Sequence, residues 1–211
     1  MARVRKGQPH AAAGARLTAS APTFDASLPP AARPLATMRR EDLETQFRVA
    51  VRRGAGAAGA HCIHELWMRG EFAANIEAAL TVLWQAAAAS IPEWLPMRHV
   101  EWLPALYEIA HTFTAARPGR YNIYLVLLDF ADRHRGPYGL YVGMSHYTPA
   151  TRFDQHKAGI RAAGSVLRRG LEVLTGPALH LRGIARGEAL RIEAELAEAL
   201  RDAGLLVEGG H

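Results

Sequence analysis

The run Tyr121-Asn122-Ile123-Tyr124-Leu125-Val126-Leu127-Leu128 constrains the fold more than any other stretch of the chain. It has the length of a strand, is rich in aromatic and branched side chains, and carries no charge. The strand it predicts is therefore buried on both faces. Such a strand needs cover on two sides, and the sequence around it supplies helices before and after.

Upstream, Leu43, Phe47 and Val51 fall on one face of a helix predicted over residues 38–53, ended by Gly54-Ala55-Gly56. A second helical region runs over residues 62–89, with Leu66, Phe72, Ile76, Leu80 and Leu83 at three-and-four spacing, and Ser90-Ile91-Pro92 stops it. A third helix is predicted over residues 99–113. Trp67, Trp84, Trp94 and Trp102 lie in this part and read as large core residues. The cluster His61-Cys62-x-His64-Glu65 lacks a second pair of spaced ligands and does not continue to HExxH, which argues against a metal site there.

The breaker Arg117-Pro118-Gly119-Arg120 is the expected boundary between a helical accessory domain, residues 37–117, and a second domain, residues 118–211. Residues 1–36, rich in Ala, Pro, Ser and Arg with no apolar period, are expected to be a disordered basic arm.

Downstream, residues 138–142 predict a second strand, followed by Gly143 where a backbone turns sharply or approaches a ligand. Thr148 is a predicted N-cap with Pro149 in the first helical position. Arg152 and His156, four apart, then share one face of that helix, which ends at Gly159. Another short helix is expected over residues 162–169 and a third strand over residues 179–184. The last helix, residues 188–203, places Ala189, Ile192, Leu196, Ala197 and Leu200 on one side. Glu193 falls on that apolar side, where a carboxylate is costly unless it is paired or binds a cation; the alternative is an edge position from which it reaches water.

The charge is uneven. The chain has 211 residues, a net charge of +5 and a sequence pI near 9.8. Residues 1–40 carry +6 and residues 117–186 carry +7, while the two remaining regions are acidic. The positive charge therefore collects on the arm and around the Tyr, Arg and His residues, which suits an anionic partner. Arg161, Arg168 and Arg169 are candidates to track phosphates. A single cysteine, Cys62, excludes an intramolecular disulfide and a four-cysteine zinc site. With no membrane span and no apolar signal segment in the sequence, a cytoplasmic location is expected.

With these residues in view, residues 120–211 resemble the GIY-YIG nuclease family. Asn122-Ile123-Tyr124 stands at the first motif, Tyr141-Val142-Gly143 at the second, Arg152 and His156 at the helix positions, and Glu193, in ALRIEAEL, at the metal-binding glutamate. The resemblance implies an α+β fold, a small three-stranded antiparallel sheet flanked by helices, here preceded by the helical N-terminal region. It implies a divalent-metal-dependent DNA endonuclease using Mg²⁺ or Mn²⁺, with Glu193 as metal ligand. Tyr124 would activate water, His156 would polarise its phenol or relay the proton, Tyr141 would orient water or phosphate, and Arg152 would stabilise charge on the phosphate. The form YVGMS-x-x-TP-x-x-RF-x-x-HK-x-G looks like small free-standing bacterial members, which points to single-stranded DNA. A duplex-specific restriction-type enzyme, an RNA-directed nuclease and a non-catalytic nucleic-acid-binding protein are the rivals.

Three departures stand out. Asn122 replaces the first Gly, Met144 replaces a Lys common after the second motif, and no Asn follows the last helix. The terminal Gly209-Gly210-His211 is a candidate to return to the cleft, with His211 replacing the missing polar group.

Overall fold

The predicted strand is the centre of the molecule in a computed structural model, which describes residues 24–130 and 137–210. The helices before it are α1 (Arg40–Arg53), α2 (Gly56–Met68), α3 (Ala73–Ala87) and α4 (Leu103–Ala110). They are followed by β1 (Pro118–Asp129), β2 (Tyr138–Ser145), α5 (Pro149–Lys157), α6 (Gly164–Arg169), β3 (Gly170–Val173), α7 (Arg186–Asp202) and β4 (Val207–Gly209). The residues expected as one helical region over 62–89 form α2 and α3, broken at Gly70, whose φ of 76° a helix does not tolerate.

The fold is α+β, but the sheet differs from the expected three antiparallel strands. It has four, in the order β3-β1-β2-β4, and β4 runs parallel to β2. The third strand is Gly170–Val173, not residues 179–184. Residues 179–181 belong to a 3-10 turn, Gly176–Leu181, and Ile184 meets the sheet through isolated bridges to Pro118 and Tyr121. The breaker expected at residues 117–120 is instead the start of β1: Gly119 N–H donates to Gly183 O at 2.7 Å, and a Cβ on Gly119 would overlap the Ile184 backbone. The Glu188 carboxylate accepts the Ala116 and Arg117 N–H groups at 3.0 and 2.8 Å, tying this strand start to α7.

Alternation along β1 explains why its run has no polar face. Ile123, Leu125 and Leu127 belong to a large apolar cluster with Ile192, Leu196 and Leu200 of α7 and with Ile63, Leu83 and Leu106 of the N-terminal helices. Tyr124, Val126 and Leu128 face a smaller cluster with Phe130 and Val166, against which Tyr141 and Phe153 pack. The first cluster crosses residue 117 without interruption, so the helical region and the sheet share one core.

The expected arm is also shorter than its composition implied. From Phe24 the chain is packed: Phe24 meets the His61 ring edge-on, and Leu35 is buried with Leu43 and Cys62. Arg33 donates two hydrogen bonds to Glu65, at 3.0 and 2.8 Å, and Arg69 donates to the same carboxylate at 2.6 Å. Two guanidinium groups therefore compensate a buried Glu65, and burial holds the Cys62 thiol up at about 12, where it is inert. The portion of the arm over residues 1–23 lies outside the described residues.

Candidate active site

Two tyrosines from adjacent strands meet because one residue between them has no side chain. In the β1–β2 register Tyr124 is opposite Gly143, and Tyr141 is opposite Val126. The tyrosine rings lie 5.9 Å apart between centroids, inclined at 37°. A Cβ at Gly143 would sit 2.6 Å from both the Tyr124 Oη and the Tyr141 ring. The glycine is thus required by closeness of approach, its backbone dihedrals being ordinary.

The helix that completes the site begins where the sequence predicts. Thr148 Oγ1 accepts the Thr151 N–H at 3.2 Å, and Pro149 occupies the first turn, where its missing N–H is harmless. One turn later Arg152 and His156 share a face turned to the sheet. His156 is 0% exposed, and its ring centroid lies 6.0 Å from that of Tyr124 and 5.9 Å from that of Tyr141.

The hydrogen bonds of His156 fix its tautomer. Its Nδ1 accepts the Ala163 N–H at 2.9 Å, so that nitrogen carries no proton, and its Nε2 lies 2.9 Å from the Tyr124 Oη. The neutral ring therefore has its proton on Nε2 and donates to Tyr124. Burial first, and the Arg152 charge second, hold the imidazole down at about 4, so it is neutral near pH 7.

Tyr124 is 2% exposed, and burial is the main reason its phenol ionises well above the usual tyrosine range. It hydrogen-bonds Tyr141 in the direction that favours the Tyr141 phenolate, and Arg152 reaches the Tyr124 oxygen. The Tyr141 phenol is also raised by burial, while the Tyr124 hydrogen bond lowers it and the Glu193 charge raises it. With His156 Nε2–H donating to its oxygen, Tyr124 keeps its own proton available for Tyr141. Tyr141 is the half-buried member of the pair.

Arg152 holds the loop after its own helix. Its Nη1 donates to Gln155 Oε1 at 3.1 Å and to Ile160 O at 3.2 Å, and its Nη2 donates to Arg161 O at 2.8 Å. That loop includes Gly159 at φ 76° and Arg161 at φ 46°, a left-handed conformation unusual for arginine. The loop then delivers the Ala163 N–H to His156.

Glu193 of α7 lies on the apolar side of its helix, as the wheel predicts, and is 8% exposed. It accepts the backbone N–H of Met144. Burial pushes its carboxyl up to about 7. Among the described residues no arginine or lysine pairs with it, in contrast to Glu65. Beside it, β4 brings Gly209 against the Tyr141 ring and Gly210 against α7 at Ala197 and the Glu193 carbonyl. His211 itself lies outside the described residues.

Among the described residues no three His, Cys, Asp or Glu side chains gather to hold a metal. A single buried, uncompensated carboxylate fits a hydrated Mg²⁺ or Mn²⁺, which needs only one or two protein carboxylates and keeps most of its waters. Arg161, in the loop, and Arg168, on α6, are exposed, and Arg169 lies over the Phe130 ring at 4.7 Å.

The role of Asn122 is not legible in the sequence. Its Nδ2 donates to Tyr147 O at 2.9 Å, and its Oδ1 accepts the Gly183 N–H at 3.1 Å, joining β1 to two loops. Asn122 standing where the GIY-YIG resemblance expects Gly was the one signal in the sequence. No protein-family model, curated protein or solved structure matches the chain. No helix among the described residues is long and apolar enough to cross a membrane.

Proposed function

We propose that this chain is a DNA endonuclease of the GIY-YIG type that hydrolyses phosphodiester bonds with a divalent cation and favours single-stranded DNA. The observation that carries this reading is the meeting of Tyr124, Tyr141, Arg152 and His156 beside an uncompensated buried Glu193. Five side chains from β1, β2, α5 and α7 converge although up to 69 positions separate them in the sequence.

Glu193 would hold Mg²⁺ or Mn²⁺, which supplies charge neutralisation at the phosphate oxygens. Tyr141, the more accessible phenol, would take the proton of the attacking water as a phenolate, after giving up its own proton to solvent. Tyr124 donates a hydrogen bond to the Tyr141 oxygen and stabilises its ionised form, and His156 holds Tyr124 in that orientation through its Nε2–H. This favours Tyr141 over Tyr124 as the general base and gives His156 the role of a fixed donor, not a proton relay. Arg152 presents positive charge to the tyrosine pair and, through the loop it grips, lies at the side from which phosphate charge is met.

The same grip favours one second reading. A guanidinium engaged by two backbone carbonyls also suits a protein that binds nucleic acid without cleaving it. Incubating the chain with matched single-stranded DNA, duplex DNA and RNA, with Mg²⁺ or EDTA, separates these readings. Cation-dependent cleavage of single-stranded DNA that Glu193→Ala and Arg152→Ala abolish is the expected result. Binding without cleavage selects the second reading, and cleavage indifferent to EDTA and to both substitutions overturns the first.

A further inference from the structure

Immediately after Ser145 at the end of β2 the chain exposes two aromatic rings side by side. His146 and Tyr147 have centroids 4.0 Å apart at 37°, and Tyr121 of β1 meets His146 edge-on at 6.2 Å. Tyr147 is 42% exposed, large for an aromatic residue outside the core. The pair nevertheless has a fixed backbone. Tyr147 N–H donates to the buried Ser145 Oγ at 3.1 Å, and Tyr147 O accepts from Asn122 Nδ2 at 2.9 Å. Asn122 is in turn held by the Gly183 N–H on its Oδ1, so its amide orientation is determined by both partners.

The location matters as much as the rings. Met144, whose N–H Glu193 accepts, precedes Tyr147 by three residues, which limits their Cα separation to about 10 Å. The rings therefore follow directly on the end of β2 whose backbone Glu193 holds. Flat aromatic faces beside a cationic groove bind unpaired bases by stacking, with little regard for base identity. A duplex keeps those base faces covered.

We propose that His146 and Tyr147 form a platform for one unstacked base next to the scissile phosphate, and that Asn122 is the positioning residue that holds the platform in place. This rests on the nuclease reading and gives its preference for single strands a structural source. It also accounts for Asn at the position where the GIY-YIG motif has Gly: a glycine has no side chain to join Tyr147 to Gly183.

The test uses the full chain, Mg²⁺ and a single-stranded DNA with one cleavage site, together with copies in which an abasic residue is walked across the positions flanking that site. Tyr147→Ala is expected to raise KM on the intact strand about 5- to 150-fold, the range for loss of one stacked base, with kcat little changed. On the strand abasic at the stacked position, wild type and Tyr147→Ala should have the same KM. Tyr147→Trp should retain the base dependence, which separates loss of stacking from misfolding. Asn122→Asp, which keeps the acceptor for Gly183 and loses the donor to Tyr147, should copy Tyr147→Ala. If wild type cleaves the strand and no abasic position changes its KM, or if Tyr147→Ala weakens intact and abasic strands equally, the platform is overturned while the nuclease reading stands. If wild type neither binds nor cleaves any strand, the nuclease reading and the platform fall together.

Discussion

A methyl group at Gly143 would overlap both tyrosines at once, so Gly143→Ala tests whether their contact matters. Overpacking of this kind is expected to destabilise the fold by about 1–3 kcal/mol and to remove cleavage, measured by urea unfolding and by strand-cleavage rate. The two phenols should separate in the same assay. Tyr141→Phe is expected to lower kcat by about 10²–10⁴-fold, the usual worth of a general base, and Tyr124→Phe by less. Glu193 gives a pH test with a definite sign. Its carboxyl is raised by burial from 4.5 to about 7, so the native state holds the proton more tightly than the unfolded chain does. The ionised group thus costs stability as pH rises from about 4.5 through 7, and Glu193→Gln should stabilise the cation-free protein at pH 8 by on the order of 1–3 kcal/mol, with no gain at pH 4. Of the site residues, Glu193 was legible because it breaks an apolar stripe, and Arg152 and His156 because four residues make one helical turn. The tautomer of His156 was not legible, since it depends on an N–H from Ala163 that only the folded loop delivers.

Element boundaries followed the same division between local and distant causes. The N-cap at Thr148 was readable because cap and capped N–H lie three residues apart; Thr148→Ala should lower thermal stability by about 0.5–2 kcal/mol. The third and fourth strands were not. Gly170–Val173 and Val207–Gly209 are too short for any period, and their pairing is decided by what β1 and β2 offer. The parallel strand β4 depends on an arginine of the preceding helix: Arg201 donates to Gly209 O at 2.6 Å and to Val207 O at 3.4 Å. Arg201→Ala should speed amide hydrogen exchange in β4 while leaving β1 protected, because β1 is paired on both sides.

In the shared core, a buried imidazole makes acid destabilising. His64 is buried against Trp94 and Tyr107 and is held down at about 3, chiefly by burial and then by nearby His61. Its unfolded counterpart takes a proton near pH 6.5, so this stability is present above that pH and is lost progressively as pH falls toward 3. His64→Phe should remove about 2 kcal/mol of that loss at pH 5, read as a smaller shift of the urea midpoint between pH 7.5 and pH 5. The sequence read these helices as a separate accessory domain because the secondary structure changes at residue 117, whereas the core is organised by contacts that a linear pattern does not display. Ile123, Leu125 and Leu127 are covered from both sides of that boundary. The molecule is consequently indivisible at its most obvious seam: a fragment cut at Pro118 would carry every proposed catalytic side chain and still present an uncovered apolar wall to water.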